Sequence, residues 1–148
     1  MNVSIKKTQA RFKRVRVPDG PDLGIGEFFL LVDITAAEQA IYVPLSIASG
    51  KKPTGFIYQI EGTSESTIST TAVSCTGDSV TQVTLGTIVY MKIPAGKTAT
   101  FRILVEMKGR AGKMYSVVIN RINYKYNPSD ARYQRFTEEL SSKTVKFD

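Results

Sequence analysis

Gly96-Lys97-Thr98 carries the residue types on which a phosphate-binding loop ends. Such a loop reads Gly-x-x-x-x-Gly-Lys-Ser/Thr between a strand and a helix, so that backbone amides and the helix N-terminus face the phosphate. Here the place of the first glycine holds Met91, and the following residues, ATFRILVEM, alternate with a period of two rather than the helical 3.6. A strand offers a phosphate neither feature. The trimer therefore reads as a turn and the start of a strand, with Lys97 facing solvent and Thr98 and Thr100 on the outer face.

Other residues with chemical potential fare no better. Gly24-Ile25-Gly26 could open a dinucleotide fingerprint, but Phe29 stands at the third glycine and no helical pattern follows. The chain has no histidine, which removes the commonest general base and the commonest metal ligand together. Cys75 is the single cysteine, so no intrachain disulfide forms, and as a nucleophile it would need a Lys or Asp partner that no motif supplies. It reads as a small buried or half-buried side chain. Asp33, Glu38, Glu61, Glu65 and Glu106 are available carboxylates, yet no spacing marks an acid–base pair. Asp19 and Asp22 are an incomplete ligand set for calcium. The expectation is a protein without catalytic residues, metal or cofactor.

Two groups of residues suit binding rather than catalysis. The chain has a formal charge of +7, and Lys6, Lys7, Arg11, Lys13, Arg14 and Arg16 all precede the first acidic residue, Asp19. Such a cluster can attract nucleic acid, an acidic polysaccharide or an anionic surface. The plainer reading is a solvated cationic strand that deters edge-to-edge pairing. Tyr115, Tyr124, Tyr126 and Tyr133 gather beside Arg121, Lys125, Arg132 and Arg135. Rings and cations together can stack on sugars or bases, with Tyr124 and Tyr126 as the candidate contacts. A sheet core with a solvated rim explains them equally. The match of Asn2-Val3-Ser4 to a glycosylation sequon is unspecific, and the proline of Asn127-Pro128-Ser129 excludes that one.

The elements that must position these groups are strands. A chain of 148 residues can bury a core without disulfides, and Thr, Ser, Val, Ile, Tyr and Phe are abundant. Residues 1–17 form a basic N-terminal strand or arm ahead of a β-sandwich domain over 18–148, the two meeting at the Pro18-Asp19-Gly20-Pro21-Asp22 turn. Gly26 to Ile34 is nearly continuous in apolar residues, which predicts a central strand buried on both faces. Thr35 to Glu38 could form a helical turn. Ile41, Val43, Leu45 and Ile47 give a period-two face, and Pro44 places that strand at an edge or ends it in a bulge. Phe56 to Ile60 is a short strand. The Ser/Thr-rich segment from Gly62 to Thr84 reads as short strands joined by turns, one at Thr76-Gly77-Asp78-Ser79. Thr87 to Ile93 follows, closed by Pro94-Ala95-Gly96.

The strongest pattern sets Ala99, Phe101, Ile103, Val105 and Met107 on one face, with Leu104 interrupting the polar face opposite. A Gly-bracketed hairpin loop, residues 108–112, leads to a return strand over 113–126. That strand changes parity near Asn120 and Arg121, which predicts a β-bulge or a crossing between sheets. Tyr133, Phe136 and Leu140 lie at helical spacing and predict one short C-terminal helix within Ser129–Lys143. Thr144 to Phe147 would close the sheet. The fold class is thus all-β: an antiparallel β-sandwich, immunoglobulin-like or jelly-roll-like.

IPAGKTATFRILVEM resembles the strand pair of immunoglobulin-like and fibronectin-like modules in bacterial surface proteins. Together with GEFFLLVDITAAEQAIYVP and KMYSVVINRINY it is similar to small secreted bacterial β-sandwich domains, over roughly Gly26 to Tyr126. The resemblance implies an exported, non-enzymatic module for adhesion, surface coating or filament assembly. Its partners would be further copies joined by strand addition, with residues 2–17 ordered only against a partner. Two other settings stay open: a virion subunit, such as a phage capsid decoration or tail protein, and a carbohydrate-binding module using the C-terminal tyrosines. The N-terminus lacks the apolar core of a signal peptide, and no apolar run is long enough to span a membrane.

Overall fold

The structure is a computed structural model that describes residues 1–15, 18, 23–50, 54–62, 69–109 and 112–147, the side chains of Val15 and Leu23 excepted. The expected Pro18–Asp22 turn, Arg16, Glu65 and the Asp19/Asp22 pair lie largely or wholly outside these residues. Among the described residues there is no helix, and the antiparallel sandwich is what the strand-forming composition predicts.

One layer is a four-stranded sheet in the order β1-β2-β9-β6. Its strands are β1 (Asn2–Val15), β2 (Leu23–Thr35), β9 (Thr98–Gly109) and β6 (Ser69–Thr76), all antiparallel. The alternation read in β9 is realised residue for residue: Ala99, Phe101, Ile103, Val105 and Met107 are buried, and Leu104 is half-buried on the other face. β2 departs from expectation. Phe28, Leu30, Val32 and Ile34 are fully buried, but Phe29, Leu31 and Asp33 face outward and are half-buried. Among the described residues no second layer covers that face, so the continuous apolar run marks one buried face rather than two. In β1 the register against β2 slips at Lys6, between Ile5 and Lys7. Val3 and Ile5 before the slip, and Ala10 and Phe12 after it, therefore pack on the same core, which explains why the sequence shows no sustained alternation there.

The facing strands form two further sheets. The first runs β11-β10-β5-β4, from β4 (Ile47–Ser49), β5 (Phe56–Glu61), β10 (Met114–Tyr124) and β11 (Gln134–Phe136). The second runs β3-β8-β7, from β3 (Ile41–Pro44), β7 (Thr81–Leu85) and β8 (Ile88–Ile93). A bridge between Tyr42 and Lys125 ties the two together. β3 is an edge strand that ends on Pro44, as its proline predicts, and the period-two run breaks there before β4 resumes. The parity change in β10 is a register slip between Ile119 and Arg121 against β5. It turns Val117, Ile119 and Ile122 all toward the core.

The predicted C-terminal helix is absent. Residues 134–147 instead run antiparallel along β10 as three short strands: β11, β12 (Leu140–Ser141) and β13 (Val145–Lys146). Tyr133, Phe136 and Leu140 have helical spacing, but pairing with β10 satisfies the backbone and overrides that local pattern. The helical turn at Thr35–Glu38 does not form either; Ala36 instead donates its amide to Lys97 O at 3.0 Å.

Candidate interaction surface

The side of the sandwich that carries the N-terminal cations is closed. Lys7, Arg11 and Lys13 project on the outer face, opposite Leu31, Glu27 and Ile25 of β2. Arg11 forms an ion pair with Glu27, and Arg102 of β9 lies over the Phe29 ring with 5.0 Å to the centroid. Lys6 sits at the bulge, so it and Lys7 are both exposed; Arg14 is exposed at the strand's far end. β1 is paired with β2 along its length inside its own sheet. It is therefore not a free arm that orders only against a partner.

The C-terminal strap completes this closure. Lys143 donates its amide to Thr8 Oγ1 at 3.2 Å, and Ser142 donates its amide to Val117 O at 2.8 Å. Phe147 is fully buried, its ring centroid 4.8 Å from Phe12 and 4.7 Å from Tyr115. Gly24, Gly26 and Gly109 make the space for that ring: a Cβ at Gly24 would meet it at 2.8 Å and one at Gly26 at 3.0 Å. The glycines of Gly24-Ile25-Gly26 thus serve ring packing, not a cofactor.

The opposite side is open. Among the described residues β6 pairs only with β9 and β7 only with β8, so each leaves one edge without a strand. From Ser69 to Tyr90 the chain has a single charged residue, Asp78, at the turn joining the two strands, and no proline. β6 stays in unbroken register with β9 from Ser69 to Thr76, without a bulge. The β7–β8 hairpin turns on Gly86 at φ 64°, which a glycine accepts without strain, and leaves Leu85 and Ile88 exposed at 49% and 38%.

The remaining candidates resolve into packing. Gly96 and Lys97 donate their backbone amides to Ala36 O and Pro94 O, at 2.9 and 3.0 Å, leaving neither for a phosphate. Cys75 lies in β6 against the core, and burial pushes its thiol up to about 11, away from a nucleophile's range. Asp33 accepts a hydrogen bond from Thr100 at 2.6 Å, and Glu61 accepts one from Gln59 at 3.0 Å. Among the described residues no three acidic or cysteine side chains converge as metal ligands.

The tyrosines divide by environment. Tyr115 is core, while Lys125, buried, points its ammonium at the rings of Tyr133 and Tyr90, at 4.4 and 5.8 Å. Tyr124 and Tyr126 meet edge to face at 5.7 Å, so they build a corner rather than a flat platform for a sugar ring. Burial first, and then the neighbouring Tyr126, raise the Tyr124 phenol to about 12; burial and Tyr90 do the same for Tyr133. Tyr126 itself is exposed, beside a shallow groove lined by Met1, Glu38, Gln39 and Ile41.

The chain matches no protein-family model, no curated protein and no solved structure at significance. The fold is compatible with immunoglobulin-like modules at the level of architecture. The sequence leads to association through sheet edges without saying which; among the described residues the open ones are those of β6 and β7. The signal was present as a run of 22 residues holding one charge, in a chain with 20 basic and 13 acidic residues.

Proposed function

We propose that this protein is a non-enzymatic structural module, a subunit of a cell-surface or filamentous assembly that associates through the edges of its β-sheets. The observation that supports this reading is β6, an eight-residue edge strand with no charge, proline or bulge to guard it. Soluble β-proteins ordinarily protect such edges, because a row of unpaired N–H and C=O groups templates pairing with another chain. An unguarded edge on a protein whose other edge is heavily guarded is a docking edge. Main-chain hydrogen bonds would supply affinity, and the alternating side chains register.

The reading also agrees with how the candidate groups are held. Cys75 is held as a thiol, and Asp33 and Glu61 are engaged by neighbouring side chains. Sedimentation velocity between about 10 µM and 1 mM tests the proposal, the range bracketing the affinities of weak strand-addition contacts. Mass rising with concentration is the expected result. A monomer throughout, with hydrogen exchange at β6 as fast as in an unpaired strand, would sink it.

A further inference from the structure

The charge distribution says what kind of partner the open edge fits. We infer that β6 pairs with β6 of a second copy, giving a closed two-fold dimer with a continuous eight-stranded sheet. The inference rests on the edge-association reading above and narrows it to one edge and one stoichiometry.

Head-to-tail growth would require β6 of one copy to meet β1 of the next. β1 is unsuited to that. It carries Lys6, Lys7, Arg11, Lys13 and Arg14, its register slips at Lys6, and the strap reaches it through Lys143 at Thr8 and through Phe147 at Phe12. Charge, bulge and cover are three of the devices by which natural sheets refuse edge pairing. Among the described residues β6 shows none of them, and of the two open edges it is the longer, eight residues against five in β7, so it offers its own kind the longest ladder. An antiparallel β6 pair is isologous and closes on itself.

Net charge would ordinarily resist self-association of a +7 protein. Here the N-terminal group of cations lies on the far strand of the sheet, with Arg102 and Lys108 of β9 nearer to β6. β1 and β6 are three strand spacings apart, about 14 Å, and the two β1 strands of the dimer would be separated by seven, about 34 Å. Both distances exceed the Debye length of about 8 Å at physiological ionic strength. The junction itself juxtaposes Ser, Thr, Ala, Val and Cys side chains, which neither repel nor need desolvated counter-charges. The cationic edges end up outermost on both copies, where they stop a third copy from adding. The dimer is the unit from which any larger assembly would be built.

The test uses the whole chain, wild type and the double variant Ala72→Lys, Ser74→Lys. Both positions are exposed on the outer face of β6, so the variant changes the edge without entering the core. Wild type is expected to reach twice the monomer mass by light scattering and to stop there, with dimerisation unchanged between 0.05 and 0.5 M salt. The double variant is expected to halve that mass while keeping its melting temperature and far-ultraviolet spectrum. If wild type dimerises and the variant still does, the interface lies elsewhere; this inference falls and the edge-association reading stands on β7. Species growing beyond the dimer would overturn closure alone. A wild-type monomer at every concentration would overturn both readings.

Discussion

The two sides of this sandwich treat the same problem oppositely. On one, β1 brings five described cations and a bulge, and residues 134–147 fold along β10 to seat Phe147 among Phe12, Tyr115 and three glycines. On the other, β6 and β7 present Ser, Thr, Val and Ala with no cover among the described residues. Stability has been invested in the first side and left out of the second. The lesson is that a cluster of charge can guard a sheet edge as well as recruit a partner. The lysines and arginines of β1 are the conspicuous candidates for a partner, and the structure sets them on a strand paired along its length with β2.

The contrast can be broken at its strongest point. Phe147→Ala removes a fully buried ring and leaves wells at Gly24, Gly26 and Gly109 that no neighbour can fill; it is expected to cost about 3–5 kcal/mol in urea unfolding. On the open side, Val73→Ala in β6 removes only a half-buried side chain, and about 1 kcal/mol is expected in the same measurement. Were the two losses equal, the division into a held side and a free side would be wrong.

Alkaline pH should weaken the molecule in a defined window. Cys75 ionises near 11 when folded against an ordinary 9.0, and Tyr124 and Tyr133 near 12 against 10.0. The unfolded chain therefore loses these protons first. Their contribution is complete below about pH 9 and declines as pH rises toward 12, which melting temperatures across that range would show. Native Cys75 should also be alkylated at pH 8 far more slowly than the unfolded chain, a rate that mass spectrometry reads. The smallest effect belongs to Arg11→Ala. It breaks an ion pair whose arginine is 71% exposed, so a loss below about 1 kcal/mol is expected, shrinking further at high salt.

Much of this fold could be read from the residues, and the exceptions are instructive. The alternation in β9, the turn at Gly77–Ser79 and the slip near Asn120 in β10 are local signals, and each appears where the side-chain parity places it. The misreadings depend on what lies across the molecule. Whether Phe29 and Leu31 are covered is decided by the number of layers, which the composition of β2 does not contain. The helical spacing of Tyr133, Phe136 and Leu140 was outvoted by a free edge of β10 about ten to twenty residues earlier in the chain. The candidate surface was hard to see for a simpler reason. Pattern reading looks for residues that could act, whereas an open edge is made by the backbone, and its only sequence trace is the charge that is missing.

The order β1-β2-β9-β6 also fixes how the sheet can come into being. β1 and β2 are neighbours in the chain and can zip as a hairpin within microseconds, but β9 pairs with β2 across loops of 63 residues or more, as at Thr35 and Thr98. Such closure places folding on the millisecond-to-second scale of non-local β-proteins. Through that interval Phe28, Leu30, Val32 and Ile34 stand uncovered on the strand that β9 has yet to reach. The lysines and arginines alongside them then act as gatekeepers, keeping one half-made hairpin from pairing with another.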